Sequence, residues 1–196
     1  NQAAIYRGPI ISGILKQFLV DTNWSELDYL IVDLPPGTGD IPLTLAQTIP
    51  ITGILVITTP QDVASNVAVK AVSMFEKLNV PIIGVIENMS HFICPNCDEK
   101  HYIFGDGGAQ KISEQFKIPF LGEIPLNYGI MSGSDLGKPI MITDVDSPSA
   151  SAFRTSAKNV AAQCSIIASN LQEEMESEAS NAESSDDTST SENTTS

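Results

Sequence analysis

Few cysteines and few aromatic residues limit what this 196-residue chain can be. Three cysteines, an odd number, do not form the disulfide framework of a small secreted domain, which favours a reducing compartment. With 6% aromatic residues, the core must be mainly aliphatic. The longest apolar run, Ile51 to Ile57, is far shorter than the roughly 20 residues that span a bilayer. The chain has no initiator methionine and no signal-peptide pattern, so we expect neither secretion nor membrane insertion.

Basic residues are also scarce, and none follows Lys158. The net charge is −14, but eight of the 24 acidic residues lie beyond residue 172. The remaining mild acidity makes a nucleic-acid-binding surface unexpected. Residues 173–196 are acidic and rich in Ser and Thr, so we predict a disordered tail there and an ordered unit over residues 1–172. Such a tail also disfavours an anionic membrane surface.

Short aliphatic runs alternate with amphipathic ones along the ordered part. This alternation predicts an α/β fold, with a mainly parallel sheet that is covered by helices on both faces. The predicted strands are Leu27–Pro35, Thr52–Pro60, Val80–Asn88 and Ile118–Pro125. The predicted helices are Ile10–Leu19, Gln61–Asn79, Ala109–Phe116 and Ser149–Glu174, with a cysteine-bearing excursion at about residues 89–104.

A glycine-rich loop follows the first predicted strand in the sequence LIVDLPPGTGD. Asp33 stands at the carboxyl end of that strand, where open α/β sheets bind ligands and where a carboxylate can hold Mg²⁺. Gly37 and Gly39 would allow backbone N–H groups to approach a phosphate. A tight turn closed by an aspartate explains the same residues without any ligand.

Cys94 and Cys97 form a C-P-N-C motif, whose turn can direct two thiolates at one metal. Three interpretations are open. The pair supplies half the ligands of a [4Fe–4S] cluster shared by a two-fold dimer, or it closes a Cys₂His₂ zinc site with His91 and His101, or it is redox-active. His91 is predicted to be a loop side chain.

Several blocks together resemble the Mrp-type ATPases, which belong to the MinD/ParA-like branch of the P-loop proteins. Their eukaryotic relatives include cytosolic and mitochondrial iron–sulfur assembly factors. The matching blocks run in order from about Ile5 to Ala168, as LDYLIVDLPPGTGDIPLTLAQ, VITTPQDVA, GVIENMSHFICPNC, IFGDGGAQKIS and FLGEIPL. The resemblance implies an ATP-dependent iron–sulfur cluster carrier of the cytoplasm, or of the mitochondrial matrix if the source is eukaryotic.

The resemblance also implies roles for particular residues. Asp33 matches the acid near the Mg²⁺ of bound ATP, and the loop with Gly37, Gly39 and Asp40 matches switch II. Asn88 matches a residue at the adenine edge, and Pro125 matches a segment lining the base pocket. Cys94 and Cys97 match the cluster ligands, so the implied partners are a second subunit, forming a homodimer, and apo iron–sulfur proteins that accept the cluster.

A phosphate-binding GxxxxGK[ST] loop does not occur in the sequence. The family carries this loop upstream of the matched region, so we expect the chain to be a fragment. ATP hydrolysis is then expected of the full-length parent and not of these residues alone. The alternatives are a MinD/ParA-like positioning ATPase and a non-enzymatic zinc-binding module. The C-P-N-C excursion, and the lack of a basic amphipathic C-terminal helix, favour the carrier.

Overall fold

Four strands and seven helices are found in the part of the chain that the computed structural model describes, residues 8–34 and 39–186. The helices are α1 (Gly8–Val20), α2 (Asp40–Thr48), α3 (Asp62–Lys77), α4 (Gly108–Phe116), α5 (Tyr128–Asp135), α6 (Ile140–Thr143) and α7 (Pro148–Asp186). The strands are β1 (Ile54–Thr58), β2 (Ile82–Ile93), β3 (Lys100–His101) and β4 (Phe120–Leu126). No helix within the described ranges is long and apolar enough to cross a bilayer.

The three long strands form a parallel sheet in the order β1, β2, β4, as the alternation of the sequence predicts. Helix α3 connects β1 to β2, and α4 lies in the connection from β2 to β4. The short β3 runs antiparallel to the end of β2 and belongs to the cysteine-bearing excursion. The carboxyl ends of β1, β2 and β4 therefore share one edge of the sheet.

Helices cover both faces of the sheet. On one face, α3 and α4 enclose an aliphatic cluster that includes Val72, Val85 and Ile112, each at most 2% exposed. On the other face, α7 packs Phe153 and Val160 against Ile86 and its neighbours. Cys164 is half-buried in this second cluster, where it packs as a small apolar residue. The doubly wound α/β class predicted from the sequence is confirmed.

The predicted first strand, Leu27–Pro35, is not a strand in this structure. Residues 27–34 have no regular structure, and Ile31 is 89% exposed. An aliphatic run has the composition of a buried strand, but composition does not show whether neighbouring strands are present. None of the described strands pairs with residues 27–34. The prediction was therefore wrong for this chain because strand formation needs hydrogen-bonding partners that composition does not supply.

Helix α7 extends further than the predicted Ser149–Glu174, reaching Asp186. The first part of the predicted tail, residues 173–186, is therefore helical. Several good helix formers occur there, with Glu173, Glu174 and Met175 continuing the helix. Residues 187–196 lie outside the described residues.

Candidate metal centre

An irregularity in β2 precedes the part of the strand that leads into the cysteine hairpin. Met89 has a left-handed φ of 54°, and its N–H donates to the Asn88 side chain at 3.0 Å. The pairing with β4 is irregular between Asn88 and Phe92, where the Ser90 hydroxyl donates to the Ile124 carbonyl at 3.4 Å. The second half of β2 thus forms the first arm of an excursion anchored at its base.

Backbone hydrogen bonds close the tip of this hairpin. The Cys94 N–H donates to the Glu99 carbonyl at 3.0 Å, and the Asp98 N–H donates to the Cys94 carbonyl at 2.9 Å. Asp98 takes the left-handed conformation, with φ at 58°, that reverses the chain. Phe92 then lies opposite His101 in the antiparallel pair of β2 and β3. The turn is therefore closed by backbone hydrogen bonds of the chain itself.

The two cysteines of the turn are free thiols near the surface. Cys94 is half-buried and Cys97 is exposed. The pKa of Cys94 lies below its ordinary value of 9.0, because the backbone N–H groups of Asn96 and Cys97, and then the Cys97 thiol, hydrogen-bond to its sulfur. Such bonds favour the thiolate, which is the form that binds metals.

His101 joins the two cysteines. One ligand atom from each of Cys94, Cys97 and His101 lies within 4.8 Å of the others. No other group of three potential metal ligands of this kind is found in the described residues. Of the three interpretations of the motif, the structure thus favours metal binding, with one histidine close by.

His91 is not part of this group, although the sequence admits it as a zinc ligand. It lies in β2, not in a loop, and is 5% exposed. Its Nδ1 is 2.7 Å from the Ser90 hydroxyl and 3.5 Å from a Glu123 carboxylate oxygen. Burial lowers the pKa of His91 below 6.5, Lys100 lowers it further, and Glu123 opposes both. His91 therefore supports the base of the hairpin instead of its tip.

Glu87 is a buried acid that the sequence reasoning missed. It is 2% exposed, and its carboxylate accepts a hydrogen bond of 2.8 Å from the Ala109 N–H at the start of α4. Burial raises its pKa above 4.5, although that hydrogen bond opposes the shift. Gly108, the first residue of α4, packs closely against Pro60, since a Cβ there would lie 2.8 Å from the Pro60 carbonyl oxygen. The signal available in the sequence was an acidic residue inside the aliphatic run IIGVIEN of β2.

The residues expected at a nucleotide are only partly brought together. Asp33 is exposed in irregular structure, Gly37 lies outside the described residues, Gly39 precedes α2, and Asp40 is the first residue of α2. Asn88 lines an apolar groove beside β1, together with Thr58 and Thr59. Pro125 lines a different cavity, which it shares with His91, Glu123 and α7.

This architecture is that of the MinD/ParA-like P-loop NTPases. The structure of MinD, a cell division ATPase from Pyrococcus furiosus, superposes with a TM-score of 0.55 at 19% identity, over 79% of this chain and 58% of MinD. A nucleotide-binding protein from Archaeoglobus fulgidus, in complex with ADP and with Co, gives a TM-score of 0.60 at 43% identity. That match covers 66% of this chain and 53% of the other. The first likeness shows the fold alone.

A family model described as ParA, the NUBPL iron-transfer P-loop NTPases, matches residues 1–161, and the chain belongs to this family. An iron–sulfur cluster carrier protein from Deinococcus radiodurans is 48% identical over 85% of this chain and 47% of its own length. The iron–sulfur cluster transfer protein NUBPL from Dictyostelium discoideum is 46% identical over 83% of this chain and 50% of its own length. The chain thus spans about half the length of these curated relatives.

Proposed function

We propose that this chain is the cysteine-bearing part of an ATP-dependent carrier that holds an iron–sulfur cluster and passes it to apoproteins. The observation that carries this proposal is the hydrogen-bonded turn with Cys94 and Cys97, whose backbone N–H groups stabilise a thiolate near the surface. Family membership and the names of the relatives support iron–sulfur clusters as the cargo. An exposed site suits cargo that must be released.

The cluster is a [4Fe–4S] cluster shared by two subunits. Four thiolates hold such a cluster, and one hairpin supplies two. Cys164, the third cysteine, packs against the sheet under α7 and cannot complete the set in the same turn. A two-fold homodimer would bring together two identical hairpins and supply all four ligands.

Nucleotide binding is assigned to the whole protein, with ATP and Mg²⁺ as its ligands. Asp33 would hold the Mg²⁺, and the loop with Gly37, Gly39 and Asp40 would respond to the terminal phosphate. Asn88 lies within β2, where the pairing with β4 becomes irregular, and Pro125 lies near the end of β4; both would lie near the base. This chain contains no GxxxxGK[ST] sequence, so the residues present do not form a phosphate site on their own. The ADP-bound relative from Archaeoglobus supports the nucleotide, and the cytoplasm or the mitochondrial matrix is the expected compartment.

Anaerobic reconstitution of the full-length protein tests the cargo. We expect four iron ions per dimer, with the absorption and Mössbauer spectra of a [4Fe–4S] cluster. Cys94→Ala and Cys97→Ala should each abolish cluster binding, because each removes two of the four ligands of the dimer. Binding of a fluorescent ATP analogue should be unchanged in both variants.

Cys164→Ala is the matched control, since it removes a thiol from the same chain but away from the hairpin. It should retain the full iron content. A cluster that survives in Cys94→Ala or Cys97→Ala, or that is lost equally in Cys164→Ala, would contradict the proposal.

A further inference from the structure

The hairpin brings three metal ligands together within one chain, which is more than the shared cluster needs. A cluster bridging two hairpins uses Cys94 and Cys97 from each and leaves His101 without a role. Yet His101 has a ring nitrogen within 4.8 Å of both sulfurs. This third donor is the unexplained feature of the site.

The position of His101 is fixed by the backbone. Its pairing with Phe92 places it on the return arm, and the hydrogen bond from the Cys94 N–H to the Glu99 carbonyl holds the two arms together at the tip. Because all three ligands lie between residues 94 and 101, no second subunit is needed to assemble them. The side chain of His101 is exposed.

The separations suit a tetrahedral ion. Metal–sulfur bonds of about 2.3 Å and metal–nitrogen bonds of about 2.0 Å place tetrahedral ligand atoms roughly 3.5–3.8 Å apart. The ligand atoms of Cys94, Cys97 and His101 lie at most 4.8 Å apart, so their separations exceed those of a metal-bound tetrahedral site by no more than about 1 Å. Two thiolates and an imidazole are donors that select Zn²⁺ and similar thiophilic divalent ions.

We propose that a single chain binds one thiophilic divalent metal ion through Cys94, Cys97 and His101, with the fourth position open to water or an external thiolate. The proposal rests on the metal-binding role of the cysteines in the proposed function. It adds a state with one ion per monomer, which competes with the shared cluster for the same thiolates. Zinc loading should accordingly block cluster reconstitution until the zinc is chelated.

Cobalt titration of the reduced, metal-free, full-length protein tests this state, because tetrahedral Co²⁺ with thiolate ligands has intense ligand-field bands. We expect one Co²⁺ per chain in a monomer, displaced by one Zn²⁺. His101→Asn should weaken binding at least about tenfold and change the ligand-field bands, since losing a ligand costs no less than losing its support. Lys100→Gln, a neighbouring exposed change on the same strand, should leave the bands and the affinity nearly unchanged.

The outcomes separate this inference from the proposed function. Unchanged affinity and bands in His101→Asn, an equal loss in Lys100→Gln, or half an ion per chain in a dimer would each overturn the one-chain site. Cluster reconstitution of His101→Asn should succeed, because the bridging cluster does not use the histidine. If wild-type protein binds cobalt as expected but never forms a cluster, the proposed function is wrong and the one-chain site stands.

Discussion

The hairpin of residues 92–101 and the segment of residues 27–34 both contain residues with predicted chemical roles, yet of these two described segments only the hairpin brings such residues together. The hairpin is held by pairing between residues no further apart in sequence than Phe92 and His101. The segment around Asp33 would need neighbouring strands, and none of the described strands pairs with it. A local motif forms wherever its own backbone can close, whereas a strand end becomes a site only within a complete sheet.

The largest expected effect contrasts two isoleucines from aliphatic runs of similar composition. Ile86 is 6% exposed in β2, and Ile31 is 89% exposed. Ile86→Ala should lower the free energy of unfolding of this 196-residue chain by about 2–5 kcal/mol, because it leaves a cavity in the core. Ile31→Ala should change it by less than about 0.5 kcal/mol. Urea denaturation measures both, and comparable losses would show that the Asp33 segment packs after all.

A smaller effect is expected at Glu87, which ties β2 to α4. Glu87→Ala should cost about 1–3 kcal/mol, because the buried Ala109 N–H loses its acceptor. Glu87→Gln keeps an oxygen acceptor and is the matched control, so it should cost much less at neutral pH. Urea denaturation at pH 7 compares them, and equal losses in the two variants would exclude the hydrogen bond as the cause.

The ionisation of Glu87 makes the free energy of unfolding depend on pH, and the raised pKa determines the direction of that dependence. Its pKa is raised in the folded state, mainly by burial, with Glu123 and Asp106 as further acidic neighbours. The folded state therefore holds the proton more tightly, and this stability is present below pH 4.5 and lost as the pH rises through the folded-state pKa. The unfolding free energy of wild type, minus that of Glu87→Gln, should fall over this window. A flat or rising difference contradicts the assignment.

His91, at the base of the hairpin, should make the free energy of unfolding depend on pH in the opposite direction. Its pKa is lowered by burial and by Lys100, against the pull of Glu123, so the folded state favours the neutral ring. Stability is then present above pH 6.5 and lost as the pH falls through the lowered pKa. In His91→Gln the loss of stability between pH 7 and pH 5 should be smaller than in wild type. A slope unchanged by the substitution would assign the pH dependence to other groups.

The smallest expected effect concerns the turn itself. The left-handed conformation is less favourable for Asp98 than for glycine, so Asp98→Gly should raise the stability of the hairpin by about 0.5–1 kcal/mol. Hydrogen exchange of the Cys94 amide, which donates within the hairpin, should slow by a few-fold. Asp98→Val is the contrasting variant and should speed that exchange, because a β-branched residue tolerates this conformation poorly. Equal exchange rates in all three proteins would mean that the turn carries no strain.

Local patterns predicted most of the fold and the central part of the site. Helical periodicity located α3 and α4 to within two residues at each end, and the C-P-N-C motif located the turn in which Cys94, Cys97 and His101 lie close together. What the sequence did not predict depends on contacts distant along the chain. Glu87 meets Ala109 across 22 positions, and the burial of His91 depends on β4 and Glu123. Spacing likewise admitted both histidines as ligands, and only the fold distinguished His101 from His91.

The central claim, that two hairpins share one cluster, is tested most directly with mixed dimers. Wild-type subunits and Cys94→Ala/Cys97→Ala subunits of the full-length protein, carrying different affinity tags, are co-expressed, and the heterodimer is isolated under anaerobic conditions and reconstituted. The account predicts that the heterodimer holds no stable four-iron cluster, although one of its hairpins is intact, while wild-type dimers hold four iron ions each. A heterodimer that retains a four-iron cluster on its single intact hairpin would contradict the account.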